Sequence, residues 1–170
     1  FSLWELLKAC TNGASELMTN ISMSLVSALY NIQLLKLFGA DGVAAYGVLM
    51  YVGFVFAAVF IGYAQGCAPI VSYHFGADNK DELKNLLRRS LTIIAVAGVA
   101  MLVSSELLAG PLAKIFVGYD AGLLALTIHG MKLYSISFIL SGFNIFGSAF
   151  FTALNNGAVS AAISFLRTLL

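Results

Sequence analysis

Glu16 is the one charged side chain between Lys8 and Lys36. At about 1.5 Å of rise per residue, a helix over that stretch reaches about 40 Å, beyond the roughly 30 Å hydrocarbon core of a bilayer. A lone carboxyl at such depth is costly unless it is protonated, paired or facing water. Two chemistries suit it. It takes up and releases a proton, or as a carboxylate it coordinates Na⁺ with amide and hydroxyl oxygens such as those of Asn12, Ser15 and Asn20. Asn12, Glu16, Asn20, Ser24, Ser27 and Asn31 recur at spacings of four or three, which puts them on one helical face. Ser15 and Thr19 widen the stripe, while Leu17, Ile21, Leu25 and Leu29 turn toward lipid or other helices. A polar ribbon on a membrane-spanning helix marks a transport pathway. The plainer alternative is a carboxyl that bonds to a neighbouring helix and fixes packing.

Asn144 lies between Ser141-Gly142 and Gly147-Ser148. Small polar residues of this kind line a cavity or let helices approach closely. Gln65 beside Gly66 poses the same choice. Phe54, Phe56, Phe60, Phe143, Phe146, Phe150 and Phe151 either face an apolar ligand pocket or pack among themselves and lipid. His74 and His129 fall at opposite expected helix ends and read as interfacial hydrogen-bonding groups. Cys10 and Cys67 lack metal-ligand spacing and read as packing residues. Hydrolytic, redox and phosphate-binding motifs are missing from the sequence, so no enzyme and no cofactor is expected. Na⁺ at Glu16 is the single metal reading.

The elements that would position these groups are apolar and long. Of 170 residues, 60% are hydrophobic and 10% charged, against about 25% charged in a soluble domain. With a mean hydropathy of +0.92, the chain reads as an all-α integral membrane protein with lipid as its first partner. A net charge of +1 gives no footing for nucleic acid. Candidate spans cover 10–37, 43–73, 91–113, 133–154 and 158–170, about four complete helices and the start of a fifth. Phe38-Gly39-Ala40-Asp41-Gly42 reads as a helix stop with Gly39 at the left-handed position and Asp41 as the next cap. Phe75-Gly76-Ala77-Asp78-Asn79 repeats that chemistry, and Asn155-Asn156-Gly157 marks another break. Pro69 is expected to kink the second span, while Glu106 lies near the far end of the third with Pro111 soon after it. Residues 78–89 read as a separate cytoplasmic surface helix, because Lys80, Lys84, Arg88 and Arg89 cluster there. The first residue is Phe1 and the last apolar run is cut at Leu170, so a longer protein with further helices is expected.

Asn12-Gly13-Ala14-Ser15-Glu16, Tyr30-Asn31 and Gly39-Ala40-Asp41-Gly42-Val43-Ala44-Ala45-Tyr46-Gly47 resemble the seventh helix and following loop of MATE (multidrug and toxic compound extrusion) transporters. Gly62-Tyr63-Ala64-Gln65-Gly66-Cys67-Ala68-Pro69-Ile70-Val71-Ser72-Tyr73 resembles the end of that family's eighth helix. The resemblance implies the first part of the C-terminal bundle of a twelve-helix, two-bundle transporter. It further implies Na⁺- or H⁺-coupled antiport of organic cations and amphipathic drugs, in a cytoplasmic membrane of bacterial type. Glu16 then holds the coupling cation, with Asn12, Ser15, Asn20, Asn31, Gln65 and Asn144 as cavity candidates. Many relatives carry an aspartate where Asn144 aligns, so the ionisable chemistry of this half is expected to rest mainly on Glu16. A lipid-linked sugar flippase of a related fold, with a more cationic cavity, is the rival transporter. A non-transporting subunit of a membrane complex is the rival of a different class.

Overall fold

The structure, a computed structural model, describes the backbone of residues 3–169. The side chains of Trp4, Glu5, Lys8, Thr11, Asn12, Ser15, Glu16, Thr19 and residues 167–169 lie outside the described residues. Five helices follow in order: α1 (Leu3–Gly76), α2 (Lys80–Val117), α3 (Ala121–Ser135), α4 (Ser137–Ala153) and α5 (Gly157–Leu169). The described residues contain no strand. Among the described residues two helices are long and apolar enough to cross a membrane, and a third crossing follows if α3 and α4, bent by 49°, count as one span.

α1 is two helices joined at Gly39, whose φ of 67° and ψ of −152° belong to a region open essentially to glycine alone. Gly42 supplies the room: a Cβ there would stand 2.7 Å from the Phe38 Cβ. Asp41 is exposed and, among the described residues, makes no capping hydrogen bond, so the glycines and not the aspartate make this break. At the next break the expected glycine is not the left-handed residue. Asp78 takes that position at φ 51°, its N–H donating to the Phe75 carbonyl and the Asn79 N–H to that of His74. Those two bonds close a Schellman stop, and a short polar side chain tolerates the left-handed backbone better than most. Asn79 Oδ1 then caps α2 by accepting from the Glu82 N–H. The same device returns after α4. Asn155 has φ 57°, its N–H and that of Asn156 donate to Thr152 and Phe151 carbonyls, and Asn156 Oδ1 accepts from the Val159 N–H of α5.

Residues 78–89 do not form a separate helix: α2 runs unbroken from Lys80 through Val117. Nothing between Arg89 and Leu91 punctuates the backbone, because charge changes there while helix propensity does not. The helix also continues past Pro111 to Val117, and Pro69 likewise sits inside α1. The fourth candidate span, 133–154, straddles the α3–α4 break at Ile136.

The described chain divides into two compact units. One comprises residues 27–59 and 94–142. Its core stacks Ala45, Val48 and Val52 of α1 with Ala109, Ala113 and Val117 of α2 and Leu123 and Met131 of α3. Spacings of three and four put each set on one helical face. Ala109 and Ala113 have no exposed surface, so α2 meets its neighbours close to the backbone. Tyr30 stacks on Tyr46 at 5.7 Å, and Phe138 sits between Phe56 and Tyr134 at 5.1 and 5.5 Å.

The other unit comprises residues 1–26, 60–93 and 143–170. Phe60, Ala64 and Val71 of α1 are buried there, as are Phe146 and Phe150 of α4. Tyr63 rests against Phe146 and donates from its hydroxyl to Ser90 Oγ of α2 at 3.0 Å.

Candidate functional site

The polar ribbon is visible from Asn20 onward. Asn20 and Ser24 are exposed, Ser27 and Asn31 half-buried. Asn31 Nδ2 donates to the Ser27 carbonyl at 2.9 Å, so its amide is turned back along its own helix. Leu17, Ile21, Leu25 and Leu29 are exposed on the same arm of α1. Asn12, Ser15 and Glu16 lie outside the described side chains, so the head of the ribbon stays a sequence expectation.

Gln65 is exposed on α1 and Asn144 half-buried in α4. Among the described residues neither makes a side-chain hydrogen bond. The phenylalanines divide: Phe60, Phe146 and Phe150 are buried in packing, Phe56 packs on Phe138, and Phe54 is 63% exposed. Among the described residues no three His, Cys, Asp or Glu side chains gather as a metal site.

Two polar arrangements were not assembled from the sequence. The first joins α4 to α5. Ser148 Oγ lies 2.8 Å from Ser160 Oγ and 3.0 Å from Ser164 Oγ. Ser160 also donates to the Ser148 carbonyl at 2.9 Å, and Thr152 Oγ1 lies 2.8 Å from Ser160 Oγ. Ser160 has no exposed surface and Ser164 has 3%. The pattern Ser148-x₃-Thr152 facing Ser160-x₃-Ser164 is one helical face against another, legible once the turn at Asn155 is known to be tight.

The second joins α2 to α3. Glu106 is half-buried, and its Oε1 lies 2.8 Å from Ser135 Oγ. Ser135 is fully buried, and its Oγ lies 2.7 Å from the Lys132 carbonyl. The same turn ends α3: the Ile136 N–H turns to the Tyr134 carbonyl. Ser137 Oγ donates to that carbonyl too, at 2.7 Å. Hydroxyls thus serve backbone carbonyls around a helix break, as apolar surroundings require. Glu106 was visible as an acid near the end of a span; its partner depends on tertiary packing.

The family model MatE matches residues 17–170. Comparisons with curated proteins and with solved structures find no match. The matched stretch begins directly after Glu16 and takes in Asn20, Asn31, Gln65, Glu106 and Asn144. Members of this family are transporters and not enzymes. Apolar helices of spanning length and a family match over most of the sequence agree, and the chain is an integral membrane protein of the MatE transporter family.

Proposed function

We propose that the chain serves secondary active efflux, in which inward Na⁺ or H⁺ drives export of organic cations and amphipathic drugs across a bacterial cytoplasmic membrane. The observation that carries this reading is the MatE match over residues 17–170. The exposed polar face at Asn20 and Ser24 supports it, on a helix with exposed apolar residues on its other side. Glu16, one helical turn before Asn20, is the coupling carboxyl in this reading, taking H⁺ or Na⁺. Asn12, Ser15, Asn20, Asn31, Gln65 and Asn144 supply cavity oxygens and amides. Further helices of the transporter and membrane lipid are its partners.

The mechanism is competition with conformational bias. Cation binding neutralises Glu16 and favours one arrangement of the helices; drug binding favours another. A ligand moves such an equilibrium only by its difference in affinity for the two states. In proteoliposomes of the intact transporter, Glu16→Gln is expected to abolish ion-driven drug efflux while membrane insertion persists. Efflux at the normal rate with normal expression would refute the role of Glu16. No substrate exchange by the unsubstituted protein under any ion gradient would favour a structural subunit instead.

A further inference from the structure

We propose that Lys84, Arg88 and Arg89 form a docking site on α2 for the phosphate of an anionic membrane lipid. All three are exposed, and among the described residues none forms an ion pair. Lys84 and Arg88 stand four residues apart on one helical face, and Arg89 follows directly. Like charges at a spacing of four repel, so a helix carries such a pair at a cost unless an anion lies against both.

The acids of the same segment are engaged elsewhere. Asp78 is paired with Lys80 at 3.4 Å. Glu82 accepts from the Asn85 amide at 3.3 Å. Asp81 lies in the first turn of α2, where the helix dipole favours a negative charge, and among the described residues it forms no ion pair with Lys84. The described side chains of this unit include no fourth acid.

The position of the cluster on α2 identifies the anion as a lipid phosphate. Directly after Arg89 the helix carries no charge over residues 90–105, a rise of about 24 Å against a hydrocarbon core of roughly 30 Å. Leu91 and Ile93, the first apolar residues of that run, are exposed. Residues just ahead of such a run stand in the headgroup layer. Tyr73, exposed in the last turn of α1 and edge-on to His74, is an aromatic of the kind that lies at that depth. Thr92 spends its hydroxyl on the Arg88 carbonyl, so the exposed donors here are the guanidinium groups. A guanidinium grips a phosphate through two parallel N–H···O bonds, and a lysine beside it adds a point charge. A zwitterionic lipid brings its own ammonium next to its phosphate. An anionic lipid brings net negative charge, and that is what three unpaired cations require.

The test titrates the intact protein in neutral detergent with phosphatidylglycerol or with phosphatidylcholine of the same chains, reading bound lipid by native mass spectrometry. Phosphatidylglycerol is expected to bind about tenfold more tightly or better. Lys84→Gln, Arg88→Gln and Arg89→Gln should each weaken it about fivefold, the share of one basic residue at a membrane surface, and the three together about a hundredfold. Lys114→Gln makes the same charge change at the far end of α2, well beyond the reach of screened charges, and should alter affinity by less than about twofold. Equal affinity for the two lipids in the unsubstituted protein overturns the proposal, and that result needs no variant to fold. A Lys114→Gln loss as large as that of Arg88→Gln also overturns it, because binding would then follow total charge. Glycerol phosphate, a headgroup without chains, should fail to displace the lipid at equal concentration. Displacement would make this a site for soluble anions and sink the lipid assignment. None of these outcomes depends on efflux, so failure of that reading leaves them standing.

Discussion

The hydroxyl cluster of α4 and α5 and the Glu106–Ser135 pair are both polar contacts between helices, yet they differ in the groups they join. Ser148, Thr152, Ser160 and Ser164 carry four hydroxyl hydrogens, and each oxygen can accept while it donates. Five short contacts join these hydroxyls to one another and to the Ser148 carbonyl, so the four hydrogens are shared among them. No member titrates. At Ser135 a single hydrogen faces two acceptors, and one of them is an acid. In both places hydroxyl hydrogens are shared among several acceptors, but the α4–α5 cluster joins neutral groups and the Ser135 contact includes a carboxyl group.

The backbone around the two sites differs as sharply. Gly98 of α2 is buried, and a Cβ there would stand 3.3 Å from the Ile139 Cα and 3.4 Å from the Phe138 carbonyl oxygen. Those are backbone atoms just past the Ile136 break, and they yield only if α4 moves. Gly147, beside Ser148, would meet nothing nearer than the Ile163 Cδ1 at 3.9 Å. Gly98→Ala is therefore expected to cost about 2 kcal/mol through overpacking. Gly147→Ala should gain about 0.5 kcal/mol by restricting the unfolded chain. Equilibrium unfolding in mixed micelles measures both. Equal effects would mean that the ionisable site is held no more tightly than the neutral one.

Ser160→Ala tests the neutral half of the comparison. It removes a hydroxyl shared by Ser148 and Thr152 and leaves the Ser148 carbonyl with Thr152 as donor. The expected loss is about 1 kcal/mol, the scale of hydrogen bonds between membrane helices. It should be the same at acid and alkaline pH. A loss that varies with pH would show the cluster coupled to a titrating group and would break its reading as a neutral contact.

What could be read from the sequence was local. Gly39, Asp78-Asn79 and Asn155-Asn156 announce breaks because turn chemistry acts within a few residues. The choice of Asp78 over Gly76 for the left-handed position was not legible, since both fit the same stop. Long apolar runs gave the helices, but a change from charged to apolar at Arg89-Ser90-Leu91 is no helix end, and α2 passes through it. The Ile136 break carried no glycine or proline to betray it. Its signature is the pair of serines on either side, which also fit an unbroken helix. Ser160, Ser164 and the partner of Glu106 depended on which faces meet, and spacing along one helix does not contain that.

The smallest expected effect separates the two breaks themselves. Asn155 holds the α4–α5 turn in the left-handed region, and that turn sets the register in which Ser148 and Thr152 meet Ser160. Asn155→Gly keeps the backbone accessible and should change stability by no more than a few tenths of a kcal/mol. Asn155→Ala forces a Cβ into the same conformation without a polar side chain to ease it, and should cost about 1 kcal/mol. Ile136 stands at φ −59° and ψ −33°, ordinary helical values, and is 59% exposed. Ile136→Ala therefore carries no backbone penalty, and its junction keeps bending because Ser135 and Ser137 still serve the carbonyls. If unfolding measurements gave Ile136→Ala the larger loss, side-chain packing at position 136 would be holding the bend. The Ser135 and Ser137 hydroxyls would then have little leverage over it.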